Sequence, residues 1–318
     1  MITFAAGSDD LDDLRDRLSA APDVSGDVTL VAIDDEGTDL GAVEGAVQWG
    51  GDAEKLATLL ARAPQVRWLH SPGAGVESWP LAELRRRQIT LTNAAGVFAI
   101  PIAEWVLSVM LSAVTRAREV DAAQREHRWA DDLVSGELHG RTLLLLGAGG
   151  IGQQVVDRAA AFGMRIWAAS RSGRAVPGAE RSLAGDAWRD ALPAADVVVS
   201  TVPLTAQTRG LVTAADIARL RSDAWFVNVG RGGTVDEEAL LDAAAAGRIG
   251  GAALDTWLTE PLPADHRAWA LENVVVSPHR SGSSAAGRDR GLDLLADNIR
   301  RFSANESLRN VVDLDAGY

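Results

Sequence analysis

An arginine, a glutamate and a histidine draw attention by where they fall in the chain. Arg231 lies between glycines in Val227-Asn228-Val229-Gly230-Arg231-Gly232-Gly233, at the end of an apolar run that reads as a buried strand. Glu260 precedes a proline in Leu254-Asp255-Thr256-Trp257-Leu258-Thr259-Glu260-Pro261-Leu262. His279 closes Ser277-Pro278-His279, after the last such run. Open α/β sheets gather their ligands at the C-terminal ends of strands. A guanidinium, a carboxylate and an imidazole arriving there together suit the reduction of a keto acid.

A second group of residues predicts the reductant. Gly147, Gly149 and Gly152 form G-x-G-x-x-G directly after the apolar run 143–146 and at the start of a helical segment. In that context the first glycine permits a tight turn, the second lets backbone approach a pyrophosphate, and the third lets helix and strand pack closely. The helix N-terminus offers free N–H groups to the anion. A dinucleotide with a free ribose 2′-hydroxyl is met by Asp or Glu about 20 residues further on. Here the next strand ends Ala168-Ala169-Ser170-Arg171-Ser172, Arg174 follows, and no acid occurs until Glu180. An arginine can hold a 2′-phosphate by a charge-assisted, bidentate contact. The expectation is NADP(H), with Arg171 as the main determinant, Ser170 and Arg174 assisting, and NAD(H) as the possible alternative.

These residues need a scaffold that brings strand ends to one edge. Strand-like and helix-like segments alternate, which predicts an α/β fold with parallel sheets. In the first part, strands are expected near 2–5, 28–33, 45–49, 66–70 and 89–92, with helices over 11–18 and 53–62. Pro101 can open a long apolar helix over 102–115. The second part places strands at 143–146, 165–169, 196–200, 224–229, 250–254 and 273–277. A last helix, about 284–302, should pack back onto the first part. The domain reading is therefore 1–96 with 283–318, and 97–282.

Composition narrows the chemistry. The 318 residues carry a net charge of −13 and no cysteine, with a pI near 4.8. The absence of thiols excludes a disulfide framework, a thiolate metal site and a cysteine nucleophile, and no metal is expected. An acidic surface disfavours nucleic acid and anionic lipid. No apolar run reaches a membrane span, and the N-terminus does not read as a secretory signal, so a cytoplasmic location is expected. Lys55 is the one lysine, which fits either a GC-rich genome or a salt-adapted proteome.

Taken in order, the motifs resemble the D-isomer-specific 2-hydroxyacid dehydrogenase family over nearly the whole chain. They run from Asn93-Ala94-Ala95-Gly96-Val97 and Glu104, through Glu137-Leu138-His139-Gly140-Arg141-Thr142, the glycine motif, Thr201-Val202-Pro203-Leu204-Thr205 and the 228–240 segment, to the Asp255–Pro263 and Ser277–His279 segments. The resemblance implies two Rossmann-like domains with parallel sheets and an active site in the cleft between them. It implies that His279 is the proton donor, that Glu260 bonds the far nitrogen of its ring and favours the imidazolium, and that Arg231 holds the substrate carboxylate and polarises the carbonyl. Backbone N–H groups at Ala74 and Gly75 would also bind that carboxylate. The cofactor set extends to Gly150, Ile151, Val202, Pro203, Thr208, Val229, Gly230, Arg231, Asp255 and His279. Asp255 reads equally as a strand-end cap or as a group tuning the site. Homodimers are the usual assembly in this family.

The chain departs from the family at Trp257-Leu258, where an aromatic and an acid are common, and at Trp105. Glu260 argues against formate oxidation, for which the family carries glutamine. The extra regulatory domain of longer phosphoglycerate dehydrogenases is not expected, since the sequence ends soon after the closing helix. The remaining histidines (His70, His127, His139 and His266) sit beside expected loops or helix ends and read as satisfied residues. Most tryptophans read as core, with Trp49 and Trp257 placed to line a cleft wall. The resulting expectation is an NADPH-preferring reductase of glyoxylate, hydroxypyruvate or a similar small 2-keto acid, giving the D-2-hydroxy acid. A bulkier 2-keto acid is the close alternative, and a dinucleotide-sensing binding protein of the same fold is the rival from another class.

Overall fold

Parallel strands buried on both faces need near-continuous apolar sequence, and the apolar runs become strands. The computed structural model describes residues 2–20 and 28–317. Residues 1, 21–27 and 318, all assigned to the first domain on sequence, lie outside the described residues. In chain order the first unit contains β1 (Ile2–Ala6), α1 (Ser8–Ser19), β2 (Val28–Ala32), β3 (Val43–Val47), α2 (Ala53–Arg62), β4 (Trp68–Ser71), α3 (Leu81–Arg86) and β5 (Thr90–Asn93). The second contains α4 (Ala99–Thr115), α5 (Ala117–Arg125), β6 (Thr142–Leu146), α6 (Gly150–Ala161), β7 (Arg165–Ser170), β8 (Arg181–Ala184), β9 (Val197–Ser200), α7 (Ala214–Ile217), β10 (Trp225–Asn228), α8 (Glu237–Ala245), β11 (Gly251–Leu254) and β12 (Val274–Val276). The chain then re-enters the first unit through α9 (Ala285–Ser303). The two compact units are Met1–Val97 with Ser284–Tyr318, and Phe98–Ser283.

The first unit is a five-stranded parallel sheet ordered β2-β1-β3-β4-β5. Phe4, Trp68, Leu292, Leu295 and Ile299 share one of its core clusters, so α9 closes a sheet made by the other end of the chain. Ser284 caps α9 by accepting the Gly287 N–H on its hydroxyl at 2.9 Å, as a short polar residue at that position does. The second unit is a seven-stranded parallel sheet ordered β12-β11-β10-β9-β6-β7-β8. Its strand order reverses between β6 and β9, the kind of point at which doubly wound sheets open a crevice for a ligand.

Differences from the sequence reading are local. α4 begins at Ala99, three residues before the expected start, and Pro101 occupies its first turn, where a missing N–H leaves nothing unpaired. β8 escaped notice because only Leu183 of its four residues is buried, which leaves no apolar run. Among the described residues no single helix is long and apolar enough to cross a membrane; α4 and α5 pass that test only when counted together across a 68° bend.

Candidate active site

In the second unit every residue group singled out above follows the C-terminal end of a strand. The glycine motif follows β6, Ser170 ends β7 and Arg171 succeeds it, Val202 and Pro203 follow β9, Arg231 follows β10, Asp255 follows β11, and His279 follows β12. Because the strands are parallel and in register, these groups share one edge of the sheet.

The glycine motif has the shape its chemistry requires. Gly147 has φ +98°, a conformation that favours glycine. A Cβ on Gly152 would lie 2.2 Å from the Gly147 carbonyl oxygen, whereas one on Gly149 would meet open space. Helix and turn are therefore in van der Waals contact at Gly152, and backbone is exposed to an incoming group at Gly149. Gly149 is the N-cap of α6, with Gly150, Ile151 and Gly152 in its first turn. Thr201 bridges the strand-order reversal by donating its hydroxyl to the Gly147 carbonyl at 2.8 Å.

After β7, the Ser170 hydroxyl accepts the Gly173 N–H at 3.1 Å and the Ser172 hydroxyl accepts the Arg174 N–H at 3.3 Å, so the turn carrying Arg171 and Arg174 is internally bonded. Both arginine residues are exposed. Thr208 donates to the Pro203 carbonyl at 2.5 Å and accepts the Thr205 N–H at 2.7 Å, which closes the 203–208 loop on itself.

Arg231 is held by its neighbours. A Cβ on Gly230 would meet the Val202 carbonyl oxygen at 2.4 Å, and one on Gly232 would meet the Trp257 carbonyl carbon at 2.1 Å. Fully buried Asn228 accepts the Gly230 N–H at 3.1 Å and donates to the Arg231 carbonyl at 3.0 Å. The Thr234 hydroxyl donates to that same carbonyl at 2.6 Å. Val229, just before them, is buried.

His279 and Glu260 meet: His279 Nδ1 lies 2.9 Å from Glu260 Oε2. The other oxygen of Glu260 accepts the Trp257 N–H at 2.9 Å. The Glu260–Pro261 peptide bond is cis. His279 itself has φ +52°, an uncommon conformation for a side-chain-bearing residue. Asp255 is what holds that turn. Its backbone oxygen accepts the His279 N–H at 2.8 Å. Its carboxylate, 2% exposed, accepts the Ser277 hydroxyl at 2.5 Å, the N–H groups of Arg280 and Ser281 at 2.9 and 3.0 Å, and the Ser281 hydroxyl. These bonds cap the 277–281 turn that carries His279.

Ala74 and Gly75 lie in the first unit, in the loop after β4. Asn93 holds that loop by donating to the Ala74 carbonyl at 2.8 Å, and the Ala94 N–H reaches the Gly73 carbonyl at 3.1 Å. Among the described residues neither the Ala74 nor the Gly75 N–H has a protein acceptor.

His70 lies in β4, within the strand expected over 66–70 and one residue from its end, and is buried; its Nδ1 lies 2.9 Å from the Thr92 hydroxyl. Burial brings its pKa down from 6.5 to about 4, because the charged ring would lose its water. Trp257 is buried rather than a wall open to a ligand, and its indole N–H donates to the Ser277 carbonyl at 3.0 Å. Trp49 is 70% exposed. The residues that sequence reading missed are Asn228, which holds the Arg231 turn through local bonds, and Thr201, Ser277 and Ser281, whose bonds are visible only once segments distant in sequence lie side by side.

A family model described as D-isomer specific 2-hydroxyacid dehydrogenase, NAD binding domain, matches residues 107–281. A glyoxylate reductase from Korarchaeum cryptofilum is 32% identical over 262 residues, spanning 81% of this chain and 79% of that protein. A D-3-phosphoglycerate dehydrogenase from Mycobacterium leprae is 33% identical over 262 residues and 82% of this chain, but the match spans about half (49%) of that longer protein. Among solved structures, an NADPH-dependent glyoxylate/hydroxypyruvate reductase from Sinorhizobium meliloti, in complex with NADP and sulfate, is similar at a TM-score of 0.83 and 28% identity, over 100% of both chains.

Proposed function

We propose that this chain, which belongs to the D-isomer specific 2-hydroxyacid dehydrogenase family, reduces a small 2-keto acid of the glyoxylate or hydroxypyruvate type to the D-2-hydroxy acid, with NADPH preferred over NADH. The observation that carries this reading is the 2.9 Å contact between His279 Nδ1 and Glu260 Oε2. It commits one ring nitrogen to a carboxylate and leaves Nε2 as the atom that hands a proton to the carbonyl oxygen. Arg231 binds the substrate carboxylate through its planar fork and draws the carbonyl towards it. Ala74 and Gly75 donate their N–H groups to the same carboxylate.

The nicotinamide cofactor, when bound, supplies the hydride. The chain provides the cradle: open space at Gly149 and the N-terminus of α6 suit a pyrophosphate. Ser170, Arg171 and Arg174 suit a 2′-phosphate, since no acid stands at the end of β7 to repel one. Two relatives support the substrate class, one named a glyoxylate reductase and one an NADPH-dependent glyoxylate/hydroxypyruvate reductase. In this reading residues 98–283 form the dinucleotide-binding domain, the discontinuous unit binds substrate, and the protein works as a homodimer.

Replacing His279 by Ala tests the assignment. The expected result is a fall in kcat of roughly 10²–10⁴-fold, far larger than any change in the dissociation constant for NADPH. A variant that keeps most of its activity would mean that the proton comes from another group.

A further inference from the structure

We propose that Glu237, with His266 behind it, is a positioning residue for the proton-transfer pair: it anchors the Trp257–Glu260 turn so that Glu260 meets His279. The inference rests on the catalytic reading of that pair.

Glu237 opens α8, where an acidic residue ordinarily faces solvent and the helix dipole. Here it is only 7% exposed. Its Oε2 accepts the Leu258 N–H at 2.8 Å, and its Oε1 faces His266 Nε2 at 3.9 Å. His266 Nδ1 accepts the Ala268 N–H at 3.3 Å, which assigns the ring proton to Nε2, on the side of Glu237. The same ring stands edge-on to Trp257, with centroids 5.7 Å apart. Arg267 clasps this segment to α8 through Asp242 at 2.7 Å and the Glu238 carbonyl at 2.9 Å.

What Glu237 holds is the piece of chain on which the site converges. Within one turn, Trp257 donates its N–H to Glu260 Oε1 and its indole N–H to the Ser277 carbonyl, two residues before His279. The loop of Arg231 presses on the same turn at Gly232. Between Trp257 and Leu262, which packs against the core, the chain has no apolar anchor, because Leu258 is 66% exposed. The Leu258 N–H bond to a buried carboxylate therefore fixes the approach of Glu260 to His279, and small misplacements of reacting groups are costly in rate.

Glu237→Leu removes the acceptor at similar volume, while Glu237→Gln keeps an oxygen for the Leu258 N–H. The expected result is a kcat lowered roughly ten- to hundredfold in the Leu variant, with NADPH affinity unchanged and most of the loss recovered in the Gln variant. NMR titration of the His279 ring gives a readout independent of turnover: the Leu variant moves towards the profile of Glu260→Gln, and the Gln variant stays with wild type. If the Leu variant does not fold, Glu237→Asp, which withdraws the acceptor by one methylene, is expected to behave as it would. Wild-type kcat and titration in the Leu or Asp variant would overturn the proposal, as would a kcat loss that follows unfolding midpoint while the His279 titration stays put. A wild-type protein that reduces no keto acid would sink the catalytic reading instead, and the titration would still decide whether Glu237 positions the pair.

Discussion

His70 shows how a single side chain records its environment. The ring packs inside β4, 2% exposed, beside the Thr92 hydroxyl, which also accepts the Trp68 indole N–H at 2.9 Å. With its pKa brought down from 6.5 to about 4 by burial, His70 stays neutral in the folded protein while the unfolded chain takes up a proton. It therefore has no effect on stability above pH 6.5 and destabilises progressively as pH falls from 6.5 to about 4, by up to roughly 3 kcal/mol. Urea unfolding of wild type and His70→Asn across that range should show a steeper loss for wild type. Parallel pH profiles would contradict the neutral assignment. Arg231, Glu260 and His279, on which the proposal rests, stand out on sequence because each follows an expected strand end and carries hydrogen-bonding or ionisable chemistry. Glu237 does not, since in Asp236-Glu237-Glu238 it reads as one more acid at a helix start, and only tertiary packing buries it.

At the scale of elements, the β6–α6 unit makes the sharpest prediction because its glycines differ in surroundings. Gly152→Ala forces a Cβ against the Gly147 carbonyl oxygen, an overpacking that costs about 1–3 kcal/mol. Gly149→Ala places its methyl in open space and should change stability by no more than about 1 kcal/mol, the worth of an N-cap. The expected outcome is that Gly149→Ala folds like wild type yet binds NADPH at least about tenfold more weakly, while Gly152→Ala lowers the unfolding midpoint. Denaturant melts and NADPH fluorescence titration check both, and unimpaired binding by Gly149→Ala would contradict the assigned cradle. The central strands were readable because parallel strands buried on two faces must be apolar throughout. The edge strand β8 and the six-residue α3 were not, because neither carries a pattern long enough to separate it from a loop.

For the molecule as a whole, the net charge of −13 says less than where the arginines go. In the first unit Arg17 pairs with Asp289 and Asp293, and Arg288 with Asp10 and Asp13, linking α1 to α9 across the length of the chain. Exposed pairs of this kind are screened by water and add little to stability, so the apolar contacts of Phe4, Trp68, Leu292 and Ile299 hold the returning helix. In the second unit Arg171, Arg174 and Arg231 stand at the edge of the sheet that carries the glycine motif and His279, where the proposed reading has an acidic protein receive a phosphate and a carboxylate. The reading as a 2-keto acid reductase makes one demand on the intact protein. Oxidation of NADPH and of NADH should be followed spectrophotometrically with glyoxylate, hydroxypyruvate and a series of bulkier 2-keto acids. The expected result is turnover of the small acids, with kcat/KM higher for NADPH than for NADH. No oxidation with any acid would contradict the enzyme reading and favour a dinucleotide sensor, and equal or better use of NADH would overturn the role given to Arg171.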